Sequence, residues 1–366
     1  MHILHLEASP GWGGQEIRIF REMTGMQQRG HHVALAAMRG AALAKQSHLA
    51  GFPTYELNFN RPGWPLALFQ LISIIRKHRI DLINTHSSLD AWLGGIAARC
   101  TGKKVVRTRH LSTPIKPGWN SRILYNRLAD FVVTTCASII PMISEQSGKP
   151  LALCRSVPTG IDPDAIRVNP EEKAAFRTQY GIAPETFLVG TACFMRSWKG
   201  IQDLLQAAHQ LRDLPDLQWV IIGGGHAETY QKMAQALDIQ HKVIFTGHLD
   251  NPFPAIDSLD AFTLLSTAHE GVSQAILQAA YLGKPLIATT TGGLGEVCVE
   301  NVTGIRVDPF SPDQVAKAVL KLKDQPSLRL ALGCQAKKWV EEHFSWQATL
   351  DQMEEIFCKI GIESNC

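Results

Sequence analysis

The sequence predicts an α/β protein made of two doubly wound domains, each a parallel sheet covered by helices. Apolar runs of strand length alternate with amphipathic helical stretches along the whole chain, which is typical of parallel sheets. At 366 residues the chain exceeds the usual limit for a single core, and this favours two domains. A stretch rich in proline and small polar residues, around 158–176, is the predicted boundary. We therefore assign residues 1–165 and 175–345 to the two domains.

Six apolar runs of the first half are predicted strands. They are HILHL (2–6), HVALAAM (32–38), DLINTH (81–86), KVVRTR (104–109), FVVTT (131–135) and LALCRSV (151–157). Apolar residues at helical spacing predict helices near 15–29, 66–78, 90–100 and 120–128.

The second half repeats this alternation. Its predicted strands are FLVGTACF (187–194), WVIIGGG (219–225), KVIFTG (242–247), AFTLL (261–265), PLIATT (285–290) and TGIRV (303–307). Helices are predicted near 200–211, 226–237, 272–282 and 312–323, with a final one from 346. Since the carboxyl ends of parallel strands share one edge of a sheet, residues that follow the strands are the first candidates for a ligand site.

Composition indicates a soluble, globular, cytoplasmic protein. Apolar residues make up 45% of the chain and charged residues 19%, and no run of eighteen apolar residues predicts a membrane-spanning helix. The opening MHILHLEASP has the pattern of a first strand rather than of a signal peptide. The eight cysteines are scattered without metal-ligand spacing, so we expect reduced thiols.

Charge is distributed unevenly between the halves. Residues 1–170 carry 20 lysines and arginines against 10 acidic residues, whereas residues 171–366 carry 16 against 23. A basic first half could rest on an anionic membrane surface or receive an anionic acceptor. Nucleic acid is a less favoured partner because no binding motif or dense basic run is present, and a functionally silent charge asymmetry stays open.

The segment AHEGVSQAILQAAYLGKPLIATTTGGLGE (268–296) is the most informative of the chain. Glu270 precedes a turn and a helical stretch, whose first amides, near Gly271, Val272 and Ser273, favour an anion. A carboxylate beside that anion can accept hydrogen bonds from sugar hydroxyls. Gln278 lies eight residues later, slightly over two helical turns, and so could face the same ligand. These residues predict a site for a sugar joined to a diphosphate, with an ordinary buried helix as the bland alternative.

Two further segments follow strands and carry suitable groups. In FMRSWKG, Arg196 and Lys199 are cations placed before a helix, where they would suit a departing diphosphate. In SPGWGGQ, Gly13 and Gly14 open a helix whose backbone a phosphate could approach closely. Trp12 could stack on an acceptor ring or simply pack.

Basic side chains also end two strands of the first half. His86 and His110 follow neighbouring predicted strands and are candidates to line a ligand site. Arg107 and Arg109 either bind an anionic acceptor or form surface ion pairs. Asp162 and Asp164 have the spacing of a metal motif, but they fall in the predicted linker, so no metal site is predicted.

The motifs HEGVSQAILQAAYLGKP, FMRSWKG and TTTGGLGE resemble those of the retaining glycosyltransferases of family 4, which have the GT-B fold. The resemblance implies two Rossmann-like domains facing a cleft, with the last helix, 346–366, crossing back to the first domain. Two positions depart from the family pattern. Gln278 replaces a second acid, although an amide can still bind hydroxyls, and Phe194 stands where many members have an arginine.

The resemblance also implies roles for the candidate residues. Arg196, Lys199 and the amides near Gly271–Ser273 would stabilise the leaving nucleoside diphosphate, and Glu270 would position the sugar. Gln278 would accept from the ribose. The three glycines 223–225 and residues 246–248 would form loops around the nucleotide base, or serve only as turns. Gly292, Gly293 and Glu296 would border the donor, or only start the next helix. His110 would stabilise charge near the reacting centre, with His86 as the second candidate.

The implied function is retaining transfer of a sugar from a nucleoside-diphosphate sugar to a glycan or lipid-linked acceptor. No cofactor or metal is expected, because helix ends and cations hold the diphosphate in this fold. Lipopolysaccharide or another envelope glycan is the preferred acceptor, and the inner face of the plasma membrane is the expected location. Two alternatives remain: a noncatalytic nucleotide-sugar sensor or partner subunit, and a nucleotide-sugar epimerase.

Overall fold

The structure is a computed structural model that describes residues 1–362, and it divides into two compact units. The first unit comprises Met1–Thr159 together with the chain from Gln347 onward, and the second comprises Gly160–Trp346. Each unit contains one parallel sheet whose strands are connected by helices, which confirms the predicted α/β class.

The first unit contains a seven-stranded sheet with the strand order β3-β2-β1-β4-β5-β6-β7. Its strands are β1 (His2–Glu7), β2 (His32–Met38), β3 (Thr54–Leu57), β4 (Leu82–Thr85), β5 (Lys104–Arg109), β6 (Phe131–Thr134) and β7 (Cys154–Ser156). Its helices along this stretch are α1 (Gly14–Gln28), α2 (Ala42–Leu49), α3 (Trp64–Lys77), α4 (Ser88–Thr101), the short α5 (Trp119–Ser121), which continues as a π-helix over Arg122–Arg127, and α6 (Ile140–Ser147).

The second unit contains a six-stranded sheet with the order β10-β9-β8-β11-β12-β13. Its strands are β8 (Phe187–Ala192), β9 (Leu217–Ile222), β10 (Val243–Gly247), β11 (Ala261–Leu264), β12 (Leu286–Ala288) and β13 (Gly304–Arg306). The helices that follow α6 are α7 (Pro170–Gln179), α8 (Ile201–Gln210), α9 (Ala227–Ala236), α10 (Phe253–Asp257), α11 (Gln274–Tyr281), α12 (Leu294–Val297), α13 (Pro312–Asp324), α14 (Pro326–His343) and α15 (Trp346–Ile362).

All twelve predicted strands are present, and the sequence analysis missed β3. That strand has only four residues, and three of them are partly or fully exposed, so its apolar signal is weak. Four helices of at least eight residues, α2, α6, α7 and α14, were also missed. The predicted boundary around 158–176 is not wholly linker, because α7 begins at Pro170, where the Asn169 side chain accepts a hydrogen bond from the Glu171 amide over 3.0 Å.

Parallel pairing places the candidate residues of each unit at one edge of its own sheet. In the first unit β1, β4 and β5 end at Glu7, Thr85 and Arg109. In the second unit β8 and β11 are direct neighbours, so the loops that follow them leave the sheet side by side. Among the residues described, no helix is both long and apolar enough to cross a membrane.

Candidate active site

In the second unit the structure joins two of the candidate residues, Lys199 and Glu270, in a direct ion pair. Both side chains are largely withdrawn from solvent, with 17% and 7% of their surface exposed. The Ser266 hydroxyl donates to the same Glu270 oxygen over 2.7 Å, and the Thr289 hydroxyl fixes Ser266 by donating to its carbonyl over 2.6 Å. A buried carboxylate with two donors is oriented, because rotation would leave buried groups unpaired.

Close backbone packing brings these two residues together. Gly200 follows Lys199 at φ 68°, and a Cβ there would lie 2.1 Å from the Leu265 carbonyl oxygen. One residue before Lys199, the Trp198 carbonyl accepts a hydrogen bond from the Thr267 amide over 2.8 Å. The loops after β8 and β11 therefore touch through their backbones, and only glycine fits at position 200.

Arg196 lies apart from this pair. It is exposed, and its guanidinium stacks over the rings of Phe194 and Trp198 at 5.2 and 5.1 Å. These residues border a cavity of about 490 Å³, whose lining residues are Phe194, Arg196, Ser197, Trp198, His226, Thr229 and Tyr230. Phe194, which replaces the arginine of the family pattern, thus supports Arg196 by stacking.

The glycine-rich loops after β9 and β10 join the loop after β8. The Met195 amide donates to the Gly224 carbonyl over 2.8 Å, and the Gly223 amide donates to the Gly247 carbonyl over 3.0 Å. Gly223 has φ 126°, and a Cβ there would lie 2.2 Å from the Cys193 carbonyl oxygen. The loops that follow β8, β9 and β10 are therefore held together by backbone hydrogen bonds. Their contact with a nucleotide base stays a prediction.

The helix after Glu270 begins later than predicted. Residues 270–273 are irregular, α11 starts at Gln274, and His269 has φ 61°. Helical spacing therefore does not relate Glu270 to Gln278, which lies half-buried on the second turn of α11. The proposed roles of Gln278 and of the Gly271–Ser273 amides stay predictions.

The TTTGGLGE segment packs against that irregular loop. A Cβ on Gly293 would lie 2.7 Å from the Val272 nitrogen and 2.8 Å from the Gly271 carbonyl carbon. Glu296 lies within α12, and its carbonyl accepts from the Trp339 indole over 3.0 Å. Gly293 is therefore needed for packing against residues 271–272.

In the first unit α1 begins at Gly14, as the glycine pair predicts. The Glu16 carboxylate already accepts a hydrogen bond from the Gly13 amide over 2.8 Å, so one donor of this helix start is occupied. A Cβ on Gly14 would meet nothing within 4 Å. Trp12 is 45% exposed and packs edge-on against Phe20.

Three histidines of the first unit form a hydrogen-bonded chain. Nδ1 of His5 lies 3.0 Å from Nε2 of His86, and Nδ1 of His86 lies 3.0 Å from Nε2 of His110. Burial lowers the pKa of His5 to about 3. Burial, together with Arg18 and Arg107, also holds the pKa values of His86 and His110 well below their ordinary range. The rings are therefore neutral at neutral pH, a state compatible with positive charge developing nearby.

His86, His110, Arg107 and Arg109 border one cavity of about 660 Å³ within the first unit. Sequence analysis missed Tyr125, which lines the same cavity and contacts both arginines. It also missed Ser266, although a polar residue two positions after the apolar strand β11 is a usable signal. His5 was detectable too, as a polar residue inside a buried strand.

Asp162 and Asp164 form a local turn, in which the Asp162 carboxylate accepts from the Asp164 amide over 3.2 Å. Within the described part of the chain, no group of three or more histidine, cysteine, aspartate or glutamate side chains is arranged to hold a metal ion.

Two family models match consecutive parts of the chain. The family model "Glycosyltransferase Family 4" matches residues 12–165, and the model "Glycosyl transferases group 1" matches residues 172–339. The first match lies within the first unit except for its last residues, and the second lies within the second unit.

Relatives and solved structures cover most of the chain. A GDP-mannose-dependent α-(1-6)-phosphatidylinositol monomannoside mannosyltransferase of Mycobacterium tuberculosis is 30% identical over 292 residues, which are 72% of this chain and 74% of that protein. The enzyme of the same name from Mycolicibacterium smegmatis is 26% identical, over 80% of both chains.

An Anabaena protein crystallised with UDP has a TM-score of 0.87 at 21% identity, over 98% of this chain and 100% of its own. A glycosyltransferase of Rickettsia africae has a TM-score of 0.89 at 20% identity, over 98% of both. The fold of two parallel sheets is thus that of the GT-B structures, and the chain belongs to glycosyltransferase family 4 and is a glycosyltransferase.

Proposed function

We propose that the protein transfers a sugar, with retention at the anomeric carbon, from a nucleoside-diphosphate sugar to a glycan or lipid-linked acceptor of the cell envelope, as in lipopolysaccharide synthesis. The observation that carries this proposal is the buried Lys199–Glu270 pair at the strand ends of the second unit. A cation and an oriented carboxylate side by side suit the two halves of such a donor. The cation attracts the diphosphate, and the carboxylate accepts from sugar hydroxyls.

Each proposed role follows from position. Lys199, with the amides of Gly271, Val272 and Ser273, stabilises negative charge on the leaving diphosphate. Arg196 reaches it from the stacked platform formed by Phe194 and Trp198.

In the reaction the bond between the anomeric carbon and the phosphate oxygen breaks, and a bond to the acceptor hydroxyl forms on the same face. The acceptor proton moves to a donor phosphate oxygen. No protein nucleophile or metal ion is required in this scheme.

Relatives support the choice of substrates without fixing them. The mycobacterial enzymes are named for GDP-mannose and a phosphatidylinositol mannoside, and the Anabaena structures contain UDP or UDP-glucose. A bacillary relative, 26% identical, is an N-acetyl-α-D-glucosaminyl L-malate synthase. A first half rich in lysine and arginine favours action at the anionic inner face of the plasma membrane.

The test is to replace Glu270 and Lys199 by alanine and to measure transfer. A thermal-shift screen over UDP- and GDP-sugars first identifies the donor. Glu270→Ala should then lower kcat by about a hundredfold or more with donor affinity changed less, because an oriented carboxylate acts mainly in the transition state. Lys199→Ala should weaken both transfer and nucleoside-diphosphate binding.

Lys232→Ala is the matched control, since this exposed lysine pairs with Glu228 on α9 and should leave turnover unchanged. Wild-type turnover by Glu270→Ala would remove that residue from the site. The departures at Gln278 and Phe194 motivate the alternative of a noncatalytic sensor, which would bind a donor without turnover on any acceptor extract. An epimerase would convert the donor with no acceptor present and would exchange solvent deuterium into it.

A further inference from the structure

Arg107 and Arg109 lie at the end of β5 in the first unit. Arg107 is 3% exposed and Arg109 is half-buried, yet neither forms an ion pair with a carboxylate among residues 1–362. Buried charges in proteins are ordinarily paired or bound to a ligand. The open alternative from the sequence, that these arginines form surface ion pairs, is therefore not what the fold provides.

The guanidinium groups of Arg107 and Arg109 both contact one side chain, the phenol of Tyr125. Tyr125 accepts hydrogen bonds from Arg107 over 3.4 Å and from Arg109 over 2.5 Å, and Arg107 also stacks over its ring at 4.6 Å. Burial raises the pKa of the phenol, but the two arginines outweigh burial and lower it below its ordinary value. Even an ionised phenol supplies one negative charge to two guanidinium groups, so net positive charge remains beside the cavity.

Some of the other N–H groups of the two arginines donate to backbone carbonyls. Arg107 donates to the Ser87 carbonyl over 3.0 Å, and Arg109 donates to the Thr113 carbonyl. Both Nε atoms are buried without a hydrogen-bond partner among the described residues. Asp90 lies close enough to Arg107 for the positive charge to lower its pKa. Burial and the neighbouring Glu7 outweigh that effect and raise the pKa of Asp90 well above its ordinary value, which favours its neutral form.

The cavity beside these groups has the size and lining of an anion site. It encloses about 660 Å³, and the exposed Lys116 adds a third cation to its rim. None of the described residues that line it is acidic, while Ser87, Ser88, Asn120 and the two neutral histidines provide hydrogen-bonding groups. All of these residues belong to the first unit.

We propose that this cavity binds a phosphate group of the acceptor, held by Arg107, Arg109 and Lys116 and oriented by Tyr125. The proposal rests on the proposed function, because it assigns the acceptor class of that reaction. Three cations with no internal carboxylate suit a group of one to two negative charges, and the planar guanidinium forks match tetrahedral phosphate oxygens.

The competing occupant is the diphosphate of the donor, and the experiment separates the two. The full-length protein is first saturated with UDP and GDP, and inorganic phosphate is then titrated calorimetrically. Phosphate should still bind the wild type, and Arg109→Gln should weaken that binding about tenfold, equivalent to one lost charge-assisted hydrogen bond. Arg109→Lys, which retains the charge, should recover part of the loss.

Arg122→Gln is the matched control, because this exposed arginine lies on the same helical segment as Tyr125 but does not line the cavity. Its phosphate affinity should equal that of the wild type. Lys116→Gln provides a second variant on the protein surface, where misfolding is not expected, and should weaken phosphate binding about threefold.

Two probes then distinguish the source of the phosphate. Competition by myo-inositol 1-phosphate, with none by myo-inositol, supports a water-soluble phosphorylated acceptor. Competition by phosphatidylinositol in phosphatidylcholine vesicles, with none by phosphatidylcholine alone, supports a lipid headgroup.

The proposal is overturned if phosphate does not bind the nucleotide-saturated protein, or if Arg109→Gln and Lys116→Gln bind it as the wild type does. Nucleotide binding and sugar transfer, measured on the same preparations, show whether the proposed function itself survives that outcome.

Discussion

Glu7 illustrates how burial changes the chemistry of a side chain in this protein. It ends β1, is fully buried and accepts hydrogen bonds from the Ser9 amide over 2.6 Å and from Gln15 over 2.5 Å. Burial raises the pKa of its carboxyl to about 7, because the two donors offset only part of the desolvation. Asp90 is buried nearby with its own pKa raised. The loop that carries Gly13 and Gly14 thus begins at Glu7, and the raised pKa values of Glu7 and Asp90 favour their neutral carboxyl forms.

This pair predicts a stability that falls as the pH rises. Below pH about 4.5 the Glu7 carboxyl is protonated in both the folded and the unfolded protein. Between pH about 4.5 and the folded pKa of about 7, the carboxyl is ionised in the unfolded chain but still protonated in the folded protein. The free energy of unfolding therefore decreases as the pH rises through this range, and it becomes constant above the range. Glu7→Gln does not titrate. Between pH 5 and 7.5 it should lose about 2 kcal/mol less than the wild type in urea denaturation.

Glu145→Gln, at an exposed carboxyl on α6, should keep the wild-type slope of stability against pH. Equal slopes for Glu7→Gln and the wild type would show that Glu7 is already ionised in the folded protein at pH 5.

Among the elements, sequence predicted the strands well and the contacts between them poorly. Buried runs such as β8 and β11 were detectable because parallel strands are apolar on both faces. The pairing of Lys199 with Glu270, 71 positions apart, depends on β8 and β11 being neighbours in the sheet. Sequence periodicity does not encode that order.

The helices show the same limit in a different way. α14 was missed because its buried residues form a narrow stripe on an otherwise polar helix. Tyr125 was missed because its meeting with Arg107 and Arg109 requires the α5 segment to fold back over β5.

Two glycines of one segment test whether the loop before α11 must keep its position. Gly293→Ala places a methyl group 2.7 Å from the Val272 nitrogen, whereas a Cβ on Gly295 meets only Thr290 at 3.5 Å or beyond. Because rigid backbone cannot yield as a side chain can, Gly293→Ala should displace residues 271–272. We expect kcat/KM for the donor to fall about tenfold in Gly293→Ala and to change less than twofold in Gly295→Ala.

Steady-state kinetics of both variants, with their melting temperatures, make the comparison. Equal kinetics in the two variants would mean that the Gly271–Val272 backbone does not touch the donor.

At the scale of the whole molecule, the chain leaves the first unit after Thr159 and returns to it with α15. Arg29, directly after α1, pairs with Asp351 and Glu354, each over 2.6 Å. The Thr349 hydroxyl donates to the Pro158 carbonyl over 2.9 Å. The last helix therefore packs on the first unit, where it contacts both Arg29 near the start of that unit and Pro158 near the end of its first segment.

The close approach of α1 and α15 at Gly25 provides the sharpest test of this return. A Cβ on Gly25 would lie 2.5 Å from the Leu350 side chain, so Gly25→Ala should destabilise the protein by about 1–3 kcal/mol through overpacking. Leu350→Ala alone should also destabilise it, by about 2–4 kcal/mol, because it leaves a cavity. The double variant should be more stable than the sum of the two losses by about 1 kcal/mol or more, since each change makes room for the other. Gly14→Ala, at the open start of the same helix, should not be destabilising. Strict additivity of Gly25→Ala and Leu350→Ala in urea denaturation would mean that α15 does not pack against α1 in solution.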